Sequence, residues 1–263
     1  MFTIISLLLT LGYVLLMTFL VSSVWYFILI WVLSGIVVFY LISALQMLFS
    51  VSTFVPLLKR ESKFKYFYIR SMAWWLLIFA FNCRLEIEGS ENVPKDGKLT
   101  VYANHKSKID PIFVTLAMKR PHGYAAKSDL KKFFPVHFLN KGMNAFYIYR
   151  KDNRKTLKEL IKGIKKASDG HTYVIFPEGG TMYRDHQDIT NVRAGAFKLA
   201  QKAETDILPI TILNSHKWAL RKFFLIPIKV KVLIHEPIKY EDIKSLDTNE
   251  IADIVIDKIN EGI

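Results

Sequence analysis

The sequence predicts an α/β domain, a mixed central sheet flanked by helices, preceded by N-terminal membrane helices. Three observations predict it. Residues 1–58 contain no Asp, Glu, Lys or Arg. From about residue 85 onward, short runs rich in β-branched and aromatic residues alternate with helical ones. Three of the helical runs open on residues suited to capping.

A chain of 263 residues has room for one globular domain plus membrane segments. Its net charge of +13 belongs entirely to the part from Lys59 onward. Positive charge of this size suits nucleic acid, anionic lipid or an acidic partner. The uncharged front end favours lipid headgroups and phosphates. No zinc-ligand spacing and no RNA-binding motif supports nucleic acid, which is excluded as a partner. The single cysteine, Cys83, rules out a disulfide within the chain and reads as a small side chain in apolar surroundings.

The first element is the apolar run 1–21, near the ~20 residues that a spanning helix needs. A signal peptide is the weaker reading: there is no positive n-region, no cleavage site stands out, and a second apolar run, 25–51, follows at once. Only Ser22, Ser23 and Val24 separate the runs. The short link implies a tight hairpin, or two helices partly embedded from one side. A hairpin returns both ends to one face, and Lys59, Arg60, Lys63, Lys65 and Arg70 mark that face as cytoplasmic. A third apolar run, 72–81, is too short to span. With Trp74 and Trp75 inside it, it reads as an interfacial helix, or alternatively as a core helix of the globular part. The predicted organisation is therefore a transmembrane hairpin over 1–58, a basic and interfacial segment over 59–84, and the α/β domain over 85–263.

In that domain, strands are predicted at 85–88, 99–103, 123–126, 145–149, 172–176, 207–213 and 229–235. Helices are predicted at 111–118, 154–167, 192–202 and 248–260. Asp152 or Asn153 can cap the second helix, and Asp247 with Glu250 resembles a capping box on the last. Helix 154–167 carries Leu157, Leu160, Ile161 and Ile164 on one stripe. Arg154, Lys155, Lys158, Lys162, Lys165 and Lys166 crowd the rest, giving a solvated face or a surface for anionic lipid or an acidic carrier. There is no internal repeat or low-complexity segment.

Two stretches carry chemistry. In Tyr102-Ala-Asn-His-Lys-Ser-Lys-Ile-Asp-Pro111, a strand ends and a histidine follows. Asp110 then reads as a helix N-cap, with Pro111 at the first helical position. His105 and Asp110 thus share a loop at the carboxyl end of a strand, a common place for active sites in α/β folds. A histidine takes a proton from an alcohol when a carboxylate holds its tautomer and stabilises the imidazolium. The five-residue offset needs a loop, since a continuous helix would part the two side chains. The plainer reading is a structural histidine beside a cap. In Tyr173-Val-Ile-Phe-Pro-Glu-Gly-Gly-Thr181, Glu178 falls at another strand end, and glycines permit close backbone approach to a ligand. The other histidines, His122, His137, His171, His186, His216 and His235, show no metal-ligand spacing. There is no Gly-x-Ser-x-Gly elbow and no phosphate loop.

Together the two stretches resemble motifs of the glycerolipid acyltransferase family, whose members include 1-acyl-glycerol-3-phosphate acyltransferases. Asn104, His105 and Asp110 match its Asn-His-x4-Asp motif, with Ser107 at a commonly occurring serine. Phe176, Pro177, Glu178 and Gly179 match its Phe-Pro-Glu-Gly motif. Residues 145–150, ending in Arg150, are similar to its second motif, and 207–210, with Pro209, to its fourth. Arg193 and Gly195 resemble the basic and glycine step between the third and fourth.

The resemblance implies that His105 is the general base on an acceptor hydroxyl and Asp110 its orienting partner. The hydroxyl would attack an acyl thioester directly, with no acyl-enzyme, metal or bound cofactor. The acceptor implied is lysophosphatidic acid and the product phosphatidic acid, made at a membrane. The co-substrate would be an acyl-CoA or acyl carrier protein thioester. Asn104, Ser107, Lys127, Arg150, Glu178, Gly179 and Thr181 are the implied substrate-site residues, Glu178 more as an ordering group than as a phosphate ligand. The chain departs from the family after Gly180-Thr181, where Met182 replaces the usual arginine. Arg184 and Arg193 are the candidates to reach the phosphate in its place. Asn144 and Tyr149 also replace a common glycine and a common acid. Other acceptors, glycerol-3-phosphate or another lysophospholipid, stay open, as does a non-catalytic protein that binds anionic lipid.

Overall fold

The computed structural model describes residues 1–21, 25–59, 62–181, 188–189 and 192–263. Arg60, Arg184 and His186 lie outside the described residues.

Helix α1 (Phe2–Leu20) and helix α2 (Trp25–Phe49) run antiparallel. Ser6 donates from Oγ to Gln46 Oε1 at 2.9 Å, and Tyr13 Oη lies 3.1 Å from Ser34 Oγ. Gly35 permits their close approach, since a Cβ there would stand 3.0 Å from Val14 Cγ2. A π-helical turn (Ser50–Phe54) and α3 (Val55–Leu57) prolong the second rod. Both rods, Phe2–Leu20 and Phe27–Leu57, are long and apolar enough to cross a membrane. Much of their outer surface is exposed Leu, Ile, Val and Phe.

Helix α4 (Lys63–Trp75) continues into a π-helical turn (Leu76–Ala80). It starts earlier than the predicted 72–81 because Ser62 caps it, accepting from Lys65 N at 3.3 Å, and no breaker separates the basic and apolar parts. Its inner face, including Tyr66, Ile69, Met72 and Leu77, is buried, while Phe64, Phe67, Trp74 and Ile78 are exposed. The helix is thus both a core helix on one side and an apolar surface on the other. Lys65, counted in the basic cluster, is buried and donates to Gly142 O at 2.8 Å.

All seven predicted strands form: β1 (Cys83–Glu88), β2 (Leu99–Ala103), β3 (His122–Lys127), β4 (Phe146–Ile148), β5 (Thr172–Ile175), β6 (Asp206–Leu213) and β7 (Ile228–Ile234). They build one mixed sheet in the order β1-β7-β6-β2-β5-β3-β4; among the described residues β6 pairs antiparallel with β7, and the other pairings of these strands are parallel. Every residue of β2 is buried, as its continuous apolar run requires of a central strand covered on both faces. Val101 and Ala103 join the core on one face and Tyr102 the core on the other, the period-two alternation of a strand.

The helices of the domain are α5 (Asp110–Ala117), α6 (Phe134–Gly142), α7 (Asn153–Ser168), α8 (Lys198–Ala203), α9 (His216–Leu220), α10 (Tyr240–Ile243) and α11 (Thr248–Asn260). Asp152 caps α7, accepting from Lys155 N, and Asp247 with Glu250 forms the capping box on α11. The predicted helix 192–202 divides into a 3-10 turn (Ala194–Phe197) and α8, with Gly195, a poor helix former, inside the turn. On α7, Leu160 and Ile164 pack inward, but Leu157 and Ile161 are exposed, so only half of the apolar stripe enters the core.

This topology sets one edge of the sheet apart. The carboxyl ends of β2, β3, β4, β5 and β6 share it with the amino ends of β1 and β7. The loop bearing His105, the turn bearing Glu178, and both Lys127 and Arg150 leave the sheet there.

Candidate active site

The loop between β2 and α5 is held by one carboxylate oxygen. Asp110 Oδ2 accepts from Lys106 N and Ser107 N, each at 2.8 Å, and stands 2.9 Å from His105 Nδ1. This corrects the N-cap assignment. Asp110 is the first helical residue, the cap is Ile109, and no side chain caps α5. The carboxylate is drawn backward because three donors of the preceding loop converge on it. An ionised carboxylate only accepts, so the proton of the imidazole lies on Nδ1 and the lone pair on Nε2. Asp110 is fully buried, whereas the His105 side chain is 17% exposed. The ring stacks on Phe176, with centroids 4.3 Å apart and planes 23° from parallel.

The second stretch forms a tight turn at the end of β5. Gly179 N donates to Phe176 O at 3.0 Å, with Pro177 at the position where its fixed φ suits a β-turn. Gly179 follows at φ +68°, a left-handed conformation that favours glycine. The turn aims Glu178 at the histidine loop. Its Oε1 accepts from His105 N at 2.7 Å, and its Oε2 accepts from Lys106 Nζ at 2.7 Å. Lys106 also donates to Asp188 O at 2.8 Å. Burial pushes the Glu178 carboxyl above its ordinary range, against the pull of Lys106 and the His105 N–H.

Asn104 is fully buried, and its amide pairs with the backbone of one residue of β6. It donates to Ile212 O at 2.9 Å and accepts from Ile212 N at 2.7 Å. Ser107 is also buried, its Oγ accepting from Ile109 N at 3.5 Å. Both lie within the scaffold of the loop rather than at its surface.

Three exposed cations share the sheet edge. Lys127 ends β3 and pairs with Asp129. Arg150 follows β4, and a Cβ on Gly180 would stand 3.1 Å from its Nη2. Arg193 donates from N to Pro177 O at 3.2 Å, and a Cβ on Gly179 would stand 3.3 Å from its Nε. The glycine pair therefore lets two guanidinium groups close on the turn that carries Glu178. Thr181 sits half-buried at the end of that turn. Two participants carry no signal of their role in the sequence. Lys106 looks like a solvated loop lysine, and only the turn after β5 reveals its buried partner. Phe176 belongs to the Phe-Pro-Glu-Gly motif, and only the fold shows it as the ring beneath His105.

The remaining described histidines do structural work. Burial lowers His122 and His171 to about 4. His137 Nδ1 lies 3.0 Å from Tyr147 Oη, and His235 Nε2 lies 2.8 Å from Thr211 Oγ1.

The family model described as Acyltransferase matches residues 84–213. The chain is 26% identical over 178 residues to the 1-acyl-sn-glycerol-3-phosphate acyltransferase of Borreliella burgdorferi, covering 67% of this chain and 70% of that one. It is 26% identical over 199 residues to a Mycoplasma pneumoniae protein named "Probable 1-acyl-sn-glycerol-3-phosphate acyltransferase", covering 71% and 73%. Among solved structures, the 1-acyl-sn-glycerophosphate (LPA) acyltransferase PlsC from Thermotoga maritima has a similar fold, with a TM-score of 0.67 at 23% identity. That similarity covers 100% of this chain and 96% of the other.

Proposed function

We propose, on the premise that residues 84–213 of this chain are an acyltransferase-family domain, that the chain transfers a fatty acyl group from a thioester to the hydroxyl of 1-acyl-glycerol-3-phosphate, giving phosphatidic acid. One observation carries the chemistry: the 2.9 Å contact between His105 Nδ1 and buried Asp110 Oδ2 leaves Nε2 as the base at a partly open surface. The names of the relatives support the acceptor.

In the proposed reaction, Nε2 of His105 takes the proton of the acceptor hydroxyl as its oxygen attacks the thioester carbonyl carbon. A tetrahedral intermediate forms, the C–S bond breaks, and the leaving thiolate receives the proton from the imidazolium. Asp110 stabilises that imidazolium and fixes its tautomer. Arg150, Arg193 and Lys127 bind the acceptor phosphate, Arg by paired N–H groups and Lys as a point charge. Arg184 joins them on the resemblance of the motif alone. Glu178, Asn104 and Ser107 are positioning residues, while Gly179 and Thr181 shape the turn. No metal or bound cofactor enters the reaction. The donor is an acyl-CoA or an acyl carrier protein thioester.

The division at residues 58 and 84, the membrane anchorage of α1 and α2, and a cytoplasmic site belong to the same proposal. The two apolar rods support the anchorage, and the basic segment after them supports the side. The departure at Met182 favours one second reading, a different phosphorylated acceptor. Reconstituted protein given labelled lysophosphatidic acid and each donor should form labelled phosphatidic acid. Turnover only with glycerol-3-phosphate or another lysophospholipid would establish the second reading.

A further inference from the structure

Between β6 and β7 the chain leaves the sheet edge that carries His105 and exposes a run of large apolar side chains. Leu220, Phe223, Phe224, Leu225 and Ile226 are all exposed, Phe223 to 70% and Leu225 to 89%. Phe223 to Ile226 are consecutive, with Leu220 separated from them by two residues, and such a run forms a patch of the kind that marks an interaction surface. The base of the loop is fastened to the protein. Trp218 packs edge-on against Phe81 at 5.2 Å, and Arg221 donates from Nη1 to Phe81 O at 2.7 Å. Asn82 donates from Nδ2 to Phe224 O at 2.6 Å. The tip is thus presented by a held base.

Its charge is one-sided. Lys217, Arg221, Lys222 and Lys229 flank or interrupt the apolar residues, and no Asp or Glu occurs from Asn214 to Lys229. Apolar side chains among cations suit a bilayer containing anionic lipid: the carbon sinks past the headgroups and the cations pair with phosphates. A second copy of this chain fits worse, because it carries net +13 itself. The patch is also continuous with other apolar surface. Phe81 and Asn82, which hold it, directly follow the π-helical turn that exposes Ile78, one turn beyond exposed Trp74.

We infer that the 220–226 loop is a second membrane contact, separate from α1 and α2, which seats the His105 edge of the sheet on a bilayer surface containing anionic lipid. The coupling to the site is short. Ile212, which holds Asn104 beside His105 through both of its backbone groups, lies eight residues before Leu220 on the same sheet edge. A loop held in lipid keeps that edge against the surface from which an amphipathic acceptor enters. The inference rests on the membrane reading of the chain.

The test uses the full chain in vesicles of phosphatidylcholine with phosphatidylglycerol. Leu225→Cys is labelled with an environment-sensitive fluorophore and exposed to lipid-borne bromine quenchers. Cys83 does not compete, because it is buried and burial pushes its thiol up to about 11. Leu15→Cys on α1 reports the anchor, and Lys95→Cys, exposed on the opposite sheet edge, reports water. The expected result is blue-shifted emission and lipid quenching at Leu225, as at Leu15 and unlike Lys95. Lipid quenching at Leu15 with a water-exposed label at Leu225 overturns the inference and leaves the anchor standing. Water exposure at both removes the anchor and the inference together. A shielded label that lipid quenchers miss, but that self-quenches between copies, places a second copy on the loop and also overturns it. A functional arm uses Phe223→Asp with Leu225→Asp. The KM for vesicle-borne acceptor should rise about tenfold, while kcat on a dissolved short-chain acceptor stays unchanged. Equal loss on both acceptors overturns the inference.

Discussion

Glu178 accepts the backbone N–H of His105 through one carboxylate oxygen and the Lys106 ammonium through the other, each at 2.7 Å. The turn after β5 therefore holds the histidine loop at the His105 N–H, while Asp110 holds both the His105 ring and the next two backbone N–H groups. Two carboxylates from separate motifs thus fix one histidine, one at its backbone N–H and one at its ring.

The Lys106–Glu178 pair is buried, so removing one partner strands the other charge. Glu178→Ala should destabilise the protein by about 3 kcal/mol or more and lower kcat as the loop loosens. Thermal unfolding in detergent checks this. The double variant Lys106→Met with Glu178→Gln should recover part of the stability lost by Glu178→Ala. Failure to recover any would mean that the pair acts through something other than charge compensation.

Asp110→Asn keeps the size of the side chain but removes the charge that stabilises the imidazolium. A fall in kcat of about 10³ to 10⁴ is expected, with a KM for acceptor that changes little. Parallel increases in KM would assign Asp110 to binding instead.

Arg150→Gln and Arg193→Gln should weaken binding of the phosphorylated acceptor. Hydrogen bonds to charged groups contribute about 1.5–3 kcal/mol, so the KM should rise roughly tenfold to a hundredfold. Steady-state kinetics with varied acceptor reads this directly, and an unchanged KM for both variants would remove them from the phosphate site.

His122 and His171 are held neutral in the fold, each with its pKa lowered from 6.5 to about 4 by burial. Between those values the unfolded chain binds more protons than the folded one, so stability falls as the pH drops from about 6.5 toward 4. Each histidine contributes up to about 3 kcal/mol to that loss. Melting temperatures measured across this range should decline for the parent protein. The decline should be shallower for His171→Asn, and an identical slope would show that His171 does not carry the effect.

The sheet was legible because its strands are short β-branched and aromatic runs whose burial matches their pattern: the buried run at Leu99–Ala103 is a central strand. Caps at Asp152 and Asp247 were legible because a cap is a local interaction. Asp110 was misplaced by one position for the opposite reason. Its carboxylate answers to donors on a folded-back loop, which spacing does not encode. Lys106 was invisible because its burial depends on a turn some seventy residues away, at Glu178. Helix α6 was missed because Phe134–Gly142 shows no clear apolar period and turns on Pro135 in its first turn. The exposure of the apolar residues at 220–226 is not legible in the sequence, since it follows from how Phe81 and Asn82 hold the loop.

Acyl transfer by His105→Ala in purified membranes decides whether His105 is the base on the acceptor hydroxyl. With labelled lysophosphatidic acid and a thioester donor, phosphatidic acid formation should fall by at least about 10³ while the variant stays folded and membrane-associated. Retention of most of the parent activity by that folded variant would contradict it.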